Sequence, residues 1–352
     1  MRAEFIEPSD GRWADLLRSA PHDIYQRPEF LLLSGKHEGG GPLAFFCEDQ
    51  GEKFLMPLLV RQIPPELGAP NDWRDLINPY GYPSPIFYPG KNLVQLNDFL
   101  EAWAETCRAR NMISAFIRLH PLLPLPLEIL EEYGVLVKHG ETVFINLTQN
   151  KNEIWKQLRE NHKRDIKKLY KEGFTVKMDE WNYYNDFKEI YYESMRRLNA
   201  DNFYFFPTSY FEDLRSQLKS ALHLCTVFSP SGEVAASGLF TETIDIIEYH
   251  LGGTKEKFLK KAPSKIIFDF MTSWGIEKKI KKLHLGGGFG GENDSLFNFK
   301  CGFSPLRKSF YTYRMIFDEE KYDYLAKSKT ETLDRKSRYL GYFPLYRTNS
   351  LS

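Results

Sequence analysis

Apolar positions along this chain recur with two periods, one helical and one alternating, and the two interchange repeatedly. Leu96, Phe99, Leu100, Trp103 and Cys107 fall on one helical stripe, which predicts an amphipathic helix over 92–110. Before it, residues 3–6 read as a short strand. Asp10 to Ala20 reads as a helix opened by an aspartate cap, and Pro28 to Gly35 as a second helix. Pro42–Glu48 and Lys53–Val60 are apolar runs joined by Asp49-Gln50-Gly51, a hairpin signal. Ile63 to Pro89 is rich in proline and aromatic residues and reads as a loop. Strands are expected at Ile113–Leu119, Gly134–Val137 and Val143–Leu147, with a short helix around 125–133.

The second half repeats this rhythm with sharper punctuation. Asn150 and Glu153 form a capping-box pattern ahead of one long helix that runs through Tyr170 and stops at Gly173. Further helices are expected near 185–197 and from Ser209 to about Ser220. Three strands then follow in meander order, 222–228, 234–242 and 245–251. A helix from Ser264 to Trp274, a strand Lys282–Leu285, a Gly-rich loop, a short helix near 294–300 and a strand 306–317 complete the half. Helices, an antiparallel meander, a crossover helix and a further strand make up the order of a GNAT domain, and the first half reads as a looser copy. The expected fold class is therefore α/β: two GNAT-like domains, each a mixed, mostly antiparallel sheet flanked by helices. Expected bounds are 1–149 for an N-terminal, acceptor-side domain and 150–320 for a C-terminal catalytic domain. A tail, 321–352, is expected to pack back on the domains, since its aromatic residues suit burial.

Composition narrows the function classes. At 352 residues the chain suits two domains. No apolar run approaches the ~20 residues of a membrane helix, and the start lacks a signal-peptide core, so a soluble, cytoplasmic protein is expected. The cysteines Cys47, Cys107, Cys225 and Cys301 are scattered, without metal-site spacing, so neither a metal nor a disulfide framework is expected. Net charge is zero, yet residues 1–150 carry 13 Lys and Arg against 20 Asp and Glu, and the rest of the chain carries the reverse imbalance. A basic half can attract a phosphorylated ligand. Gly286, Gly288 and Gly291 satisfy the GxGxxG spacing, but a short helix follows and no ribose-binding acid comes at the required distance, which excludes a dinucleotide site. GxSxG, HExxH and P-loop patterns are missing, so hydrolase and NTPase chemistry have no anchor.

Five blocks in order carry a family resemblance: Tyr80-Gly81-Tyr82-Pro83; Arg164-Asp165-Ile166-Lys167-Lys168 leading to Gly173; Glu248-Tyr249-His250-Leu251-Gly252-Gly253-Thr254; Leu285-Gly286-Gly287-Gly288; and Leu296-Phe297-Asn298-Phe299-Lys300-Cys301-Gly302-Phe303. Together they resemble the signature blocks of FemABX-like acyltransferases. The resemblance implies transfer of acyl or aminoacyl groups onto amines of cell-envelope precursors, with acceptors that often carry a nucleotide. Two features depart from the pattern: no long helical hairpin arm is present, and the GNAT pyrophosphate pattern Gln/Arg-x-x-Gly-x-Gly/Ala is missing.

Acyl transfer to an amine needs a donor cradle, an oriented amine, a proton acceptor and a group that stabilises the oxyanion. The resemblance points to Lys300 as the catalytic cation, beside apolar Phe297, Phe299 and Phe303 that would desolvate it. Tyr249 and His250 lie on the strand where GNAT domains splay, and strict alternation puts Glu248 on the face of His250, as a carboxylate-oriented base. Asp294 is a further candidate near Lys300. For the donor, Lys260, Lys261 and Lys265 surround Ser264, where a helix N-terminus favours the pyrophosphate of acyl-CoA. For the acceptor, Tyr80 and Tyr82 can stack a base or sugar, and Arg196 and Arg197 with Tyr204 can bind phosphates. The stretch 151–177 holds nine Lys and Arg against four acidic residues, and a stripe of Ile154, Leu158, Ile166 and Leu169 marks it as an ordinary amphipathic element. The expected function is N-acyl transfer from acyl-CoA to the amine of a nucleotide-linked amino sugar for cell-envelope polysaccharide. An aminoacyl-tRNA-dependent transferase acting on a peptidoglycan precursor, with tRNA as partner, and an inactive GNAT-like binding module are the alternatives.

Overall fold

A computed structural model describes residues 1–327 and 337–348. The first stretch runs β1 (Arg2–Ile6), α1 (Gly11–Leu17), α2 (Pro28–Glu38), β2 (Gly41–Asp49) and β3 (Glu52–Gln62). It continues with β4 (Arg74–Ile77), β5 (Ile86–Tyr88), α3 (Leu93–Ala109), β6 (Met112–Arg118), α4 (Leu127–Tyr133) and β7 (Val135–Asn146). Asp10 caps α1 through the Arg12 N–H, and Asn92 caps α3. Two expectations change here. The Pro-rich stretch holds two short strands, because β3 is long enough to pair with both β4 and β5. The two strands expected around residue 140 are one, whose middle is exposed and polar and so lacks an apolar signal.

The chain then runs α5 (Lys151–Gln157), α6 (Glu160–Lys171), β8 (Thr175–Met178), α7 (Tyr184–Arg197), α8 (Thr208–Leu218) and β9 (Leu222–Phe228). After these come β10 (Val234–Glu242), β11 (Ile246–Thr254), α9 (Ser264–Glu277), β12 (Lys282–Gly286), α10 (Ser295–Lys300), β13 (Arg307–Ile316) and α11 (Glu319–Ala326). The Asn150–Glu153 capping box forms with both of its hydrogen bonds. The long helix expected after it is broken, since Leu158 and Arg159 are extended. The break lets the Arg159 N–H donate to the Gly302 carbonyl at 2.9 Å, a long-range bond that no local pattern encodes.

The chain divides into two compact units, Met1–His139 with Phe310–Ser352, and Gly140–Ser309. These cuts fall inside β7 and β13, whereas the sequence pattern suggests bounds near 150 and 320. In the first unit the strand order is β1-β2-β3-β4-β6-β13, antiparallel except for parallel β4 and β6. Phe99, Trp103 and Cys107 of α3 pack with Phe45, Met56 and Tyr313, while Trp13, Leu16 and Leu31 pack with Phe46, Leu55 and Leu59. The described part of the tail belongs to this unit: Tyr339, Phe343 and Tyr346 pack with Ile63, Ile113 and Tyr322.

In the second unit the order is β7-β12-β11-β10-β9-β8, antiparallel except for β11 and β12. Its main cluster joins Ile154 and Leu158 of α5 and the following break, Ile166 and Leu169 of α6, and Ile267, Phe268 and Met271 of α9 to Ile247 and Leu283. Burying some twenty such side chains is the dominant favourable contribution to a unit of this size. Each unit is thus a mixed, mostly antiparallel sheet flanked by helices. Among the described residues no helix is long and apolar enough to cross a membrane.

Candidate functional site

Strands β11 and β12 run parallel through Ile246–Lys282, Ile247–Leu283 and Glu248–His284, and there their pairing stops. Among the described residues, β11 continues to Thr254 paired with β10 only, while β12 pairs with β7 at Gly286. The strands therefore part just beyond Glu248 and His284. A bulge marks the same place, since Leu239 faces Leu251 whereas Phe240 faces Tyr249, leaving His250 as the extra residue. Gly252 leaves room for the Tyr249 side chain: a Cβ there would lie 2.4 Å from the Tyr249 hydroxyl and 3.0 Å from the Ser237 carbonyl. The Tyr249 ring instead rests on Phe240 and Phe268, with centroids 5.2 and 4.9 Å away. Burial pushes its hydroxyl pKa up, so it stays protonated.

Lys300 closes the site from α10. It is buried at 7% exposure, its Nζ donates to the Gly287 carbonyl at 2.6 Å, and it lies 5.9 Å from the Tyr249 ring centroid. Burial lowers its pKa to about 8, against the opposing charges of Glu248 and Asp294. The Gly-rich loop before α10 is shaped by Asp294, whose carboxylate accepts from the N–H groups of Phe289 at 2.9 Å and Phe297 at 2.7 Å. A Cβ on Gly288 would sit 2.0 Å from the Glu292 carbonyl, so the loop closes around its cap only with glycine there. Asp294 is therefore a capping residue, and the glycine spacing serves this turn.

The carboxylate-oriented base expected at His250 takes a different form. Glu248 lies 2.5 Å from Nδ1 of His284, both fully buried and in register on adjacent strands, and the bulge removes the alternation on which a Glu248–His250 pair depended. His250 is instead 3.1 Å from the Tyr210 hydroxyl on α8. His284 was missed because it is a lone histidine in a short apolar strand, and its partner lies 36 residues earlier in the chain.

The donor-cradle candidates lie in and around the start of α9, and two of them hold acidic partners. Nζ of Lys265 lies 2.6 Å from Asp165, and Nζ of Lys261 lies 2.6 Å from Glu172, both acids belonging to α6 or its end. Lys260 is exposed in the short turn Glu256–Lys261, and Ser264 opens the helix without a side-chain cap. Beside this helix, Ile145, Ile154, Trp155, Phe268 and Phe303 line a small apolar recess.

Among the acceptor candidates, Tyr204 packs against Phe289 of the Gly-rich loop at 5.3 Å, which brings it to the Lys300 neighbourhood. Arg196 is exposed at the end of α7, and Arg197 spends its guanidinium on Ser194 and on the Thr254 carbonyl. In the first unit, the Tyr80 N–H donates to both carboxylate oxygens of Glu38. Tyr82 stacks edge-on against Tyr25, His120 and Phe310.

No protein-family model and no curated protein matches the chain. Solved structures do. FemX aligns over 92% of this chain and 99% of its own with a TM-score of 0.70 at 14% identity. L-PGS from Bacillus licheniformis aligns over 88% of this chain and 92% of its own, with a TM-score of 0.55 at 14% identity. The C-terminal domain of a putative lysylphosphatidylglycerol synthetase from Agrobacterium fabrum covers the same shares, with a TM-score of 0.52 at 13% identity. The chain therefore has a FemABX-like GNAT fold.

Proposed function

We propose that this protein is a transferase that moves an acyl group onto an amine, with Lys300 as the catalytic cation. The observation that carries the proposal is the buried ammonium of Lys300 where β11 and β12 part. A donor carbonyl bound there develops negative charge as the amine attacks, and a desolvated cation stabilises that charge more than it stabilises the neutral ground state. The amine attacks directly, since the four cysteines are buried and no serine stands in a nucleophile motif. Tyr249 and the Tyr204–Phe289 pair would line the approach. His250, with Tyr210, is the candidate proton acceptor.

Two donors fit this chemistry. Acyl-CoA would set its pyrophosphate at the start of α9, with Lys260, Lys261, Ser264 and Lys265 around it and a nucleotide-linked amino sugar as acceptor, held by Arg196 and Arg197. An aminoacyl-tRNA donor serving a peptidoglycan precursor is favoured by one observation, the ion pairs that already neutralise Lys261 and Lys265.

The test pairs labelled acetyl-CoA, or charged tRNA, with UDP-linked amino sugars and UDP-linked muramyl peptides, using wild type and Lys300→Ala. Loss of one such charge-stabilising group is expected to lower kcat by roughly 10²–10³-fold. Above the Lys300 pKa of about 8 the wild-type rate should fall as the ammonium deprotonates. A Lys300→Ala variant with unchanged turnover would falsify the assignment. Calorimetric binding of CoA that weakens when Lys260 and Lys261 are neutralised selects the first donor, and salt-sensitive binding of tRNA alone selects the second.

A further inference from the structure

Lys300 is the last residue of α10, a helix of six residues. So short a helix holds its own geometry poorly, and the final turn of any helix leaves carbonyls without an internal partner. Asp294 fixes the start of α10, but Lys300 stands at the other end. That end is met by the start of α6. The Arg159 N–H donates to the Gly302 carbonyl at 2.9 Å, and the Arg159 guanidinium to the Asn298 carbonyl at 3.1 Å. Nε2 of His162 lies 3.0 Å from the Phe299 carbonyl, whose other lone pair takes the Gly302 N–H. Residues on both sides of Lys300 are thus tied to one short stretch of chain. His162 is 3% exposed, and its ring packs against Phe303 and Phe299 with centroids 4.6 and 5.5 Å away. Gly302 admits the ring, since a Cβ there would lie 2.2 Å from Nε2.

We propose that His162 is a positioning residue for Lys300: its Nε2–H clamps the last turn of α10 and so holds the Lys300 ammonium on the Gly287 carbonyl, out of water. A carbonyl oxygen only accepts, so Nε2 carries the proton of the ring. Nδ1 is 3.2 Å from the side-chain oxygen of exposed Asn161, an amide that can turn its NH2 group to face it. Burial, and next the charge of Lys265, hold the imidazole pKa down at about 4, so the ring is neutral and its donor stays in place near pH 7. Apolar packing alone does not call for a histidine here, because a buried polar ring is costly unless its N–H is used. The inference rests on the reading of Lys300 as the catalytic cation, but its test needs no substrate.

The full chain is labelled with lysine carrying ¹³C at Cε, and the Lys300 signal, assigned by its loss in Lys300→Arg, is followed from about pH 6 to 11. The wild-type signal is expected to titrate near pH 8. His162→Leu fills the space without a donor, and Gly302→Ala pushes the ring off its carbonyl. In both, Lys300 should titrate about one unit higher, because water reaching the released ammonium favours its charged form. His162→Gln, whose amide N–H reaches the Nε2 position, should keep the wild-type value, and the shorter His162→Asn should not. His223→Gln, which removes a bridge on β9 of the same unit, should leave Lys300 unmoved. A folded His162→Leu with an unmoved Lys300 titration overturns the inference, and so does an equal shift in His223→Gln. Should His162→Leu not fold, His162→Gln and His162→Asn decide: different titrations support the clamp, and identical ones remove it. A shifted titration alongside an active Lys300→Ala keeps the clamp and removes the proposed function. An unmoved titration alongside an inactive Lys300→Ala does the reverse.

Discussion

Lys300 is the clearest case of a residue whose meaning changes between sequence and structure. Its aromatic neighbours at Phe297, Phe299 and Phe303 signal partial desolvation, but only the fold shows burial deep enough to lower its pKa to about 8. Glu248 shows the opposite. Alternation assigns it to the face of His250, and one bulged residue overturns that assignment. Gly252 beside it leaves the space that the Tyr249 side chain fills. Gly252→Ala is expected to destabilise the protein by about 1–3 kcal/mol, because the new Cβ overlaps the Tyr249 hydroxyl. It should also lower turnover by displacing the ring beneath Lys300. Urea unfolding and a rate assay on the same preparation check both effects, and a variant of native stability would contradict the packing described here.

At the scale of elements, the strong local signals form as expected. The capping box of α5, the amphipathic stripe of α3 and the meander β9 to β11 are all encoded within a few residues of themselves. The elements that differ are those set by remote partners: β4 and β5 by β3, the α5–α6 break by Gly302, and the edge strand β8 by β9. That edge carries a histidine bridge, with Nδ1 of His223 2.9 Å from Asp179 and Nε2 3.0 Å from Glu242, its ring against Trp274. Burial alone would depress its pKa, but the bonds and charges of the two carboxylates together raise it. Because the folded value lies above the unfolded one, the stabilisation is fully present below the ordinary histidine range. It is lost as pH rises through the raised folded pKa. The stability difference between wild type and His223→Gln should thus be larger at about pH 6 than at about pH 8.5. Denaturant titrations at both values measure it, and a difference independent of pH would rule the bridge out as a charged one.

For the molecule as a whole, the tail is held to the first unit by a buried charge. Asp75, fully buried, accepts from Arg61 at 2.9 Å, from the Tyr346 hydroxyl at 3.1 Å and from two nitrogens of Arg347. Removing the acid takes the shared buried carboxylate from Arg61, Tyr346 and Arg347, so Asp75→Ala should cost about 3 kcal/mol or more. It should also speed tryptic cleavage at Arg347, which mass spectrometry reads directly. Cleavage at the wild-type rate would mean that the apolar contacts of Tyr339 and Phe343 hold the tail without the acid.

Local signals along the chain set the fold class and the order of most elements, and a family resemblance singled out Lys300 as a candidate. Caps, periodicity and turn residues are local physics, and the signature blocks are short contiguous strings. The parting of β11 and β12, the Glu248–His284 contact, and the acidic partners of Lys261 and Lys265 come from the tertiary fold. Each of those facts joins residues some 36 to 100 positions apart, and strand register or helix packing, which no local pattern encodes, sets them.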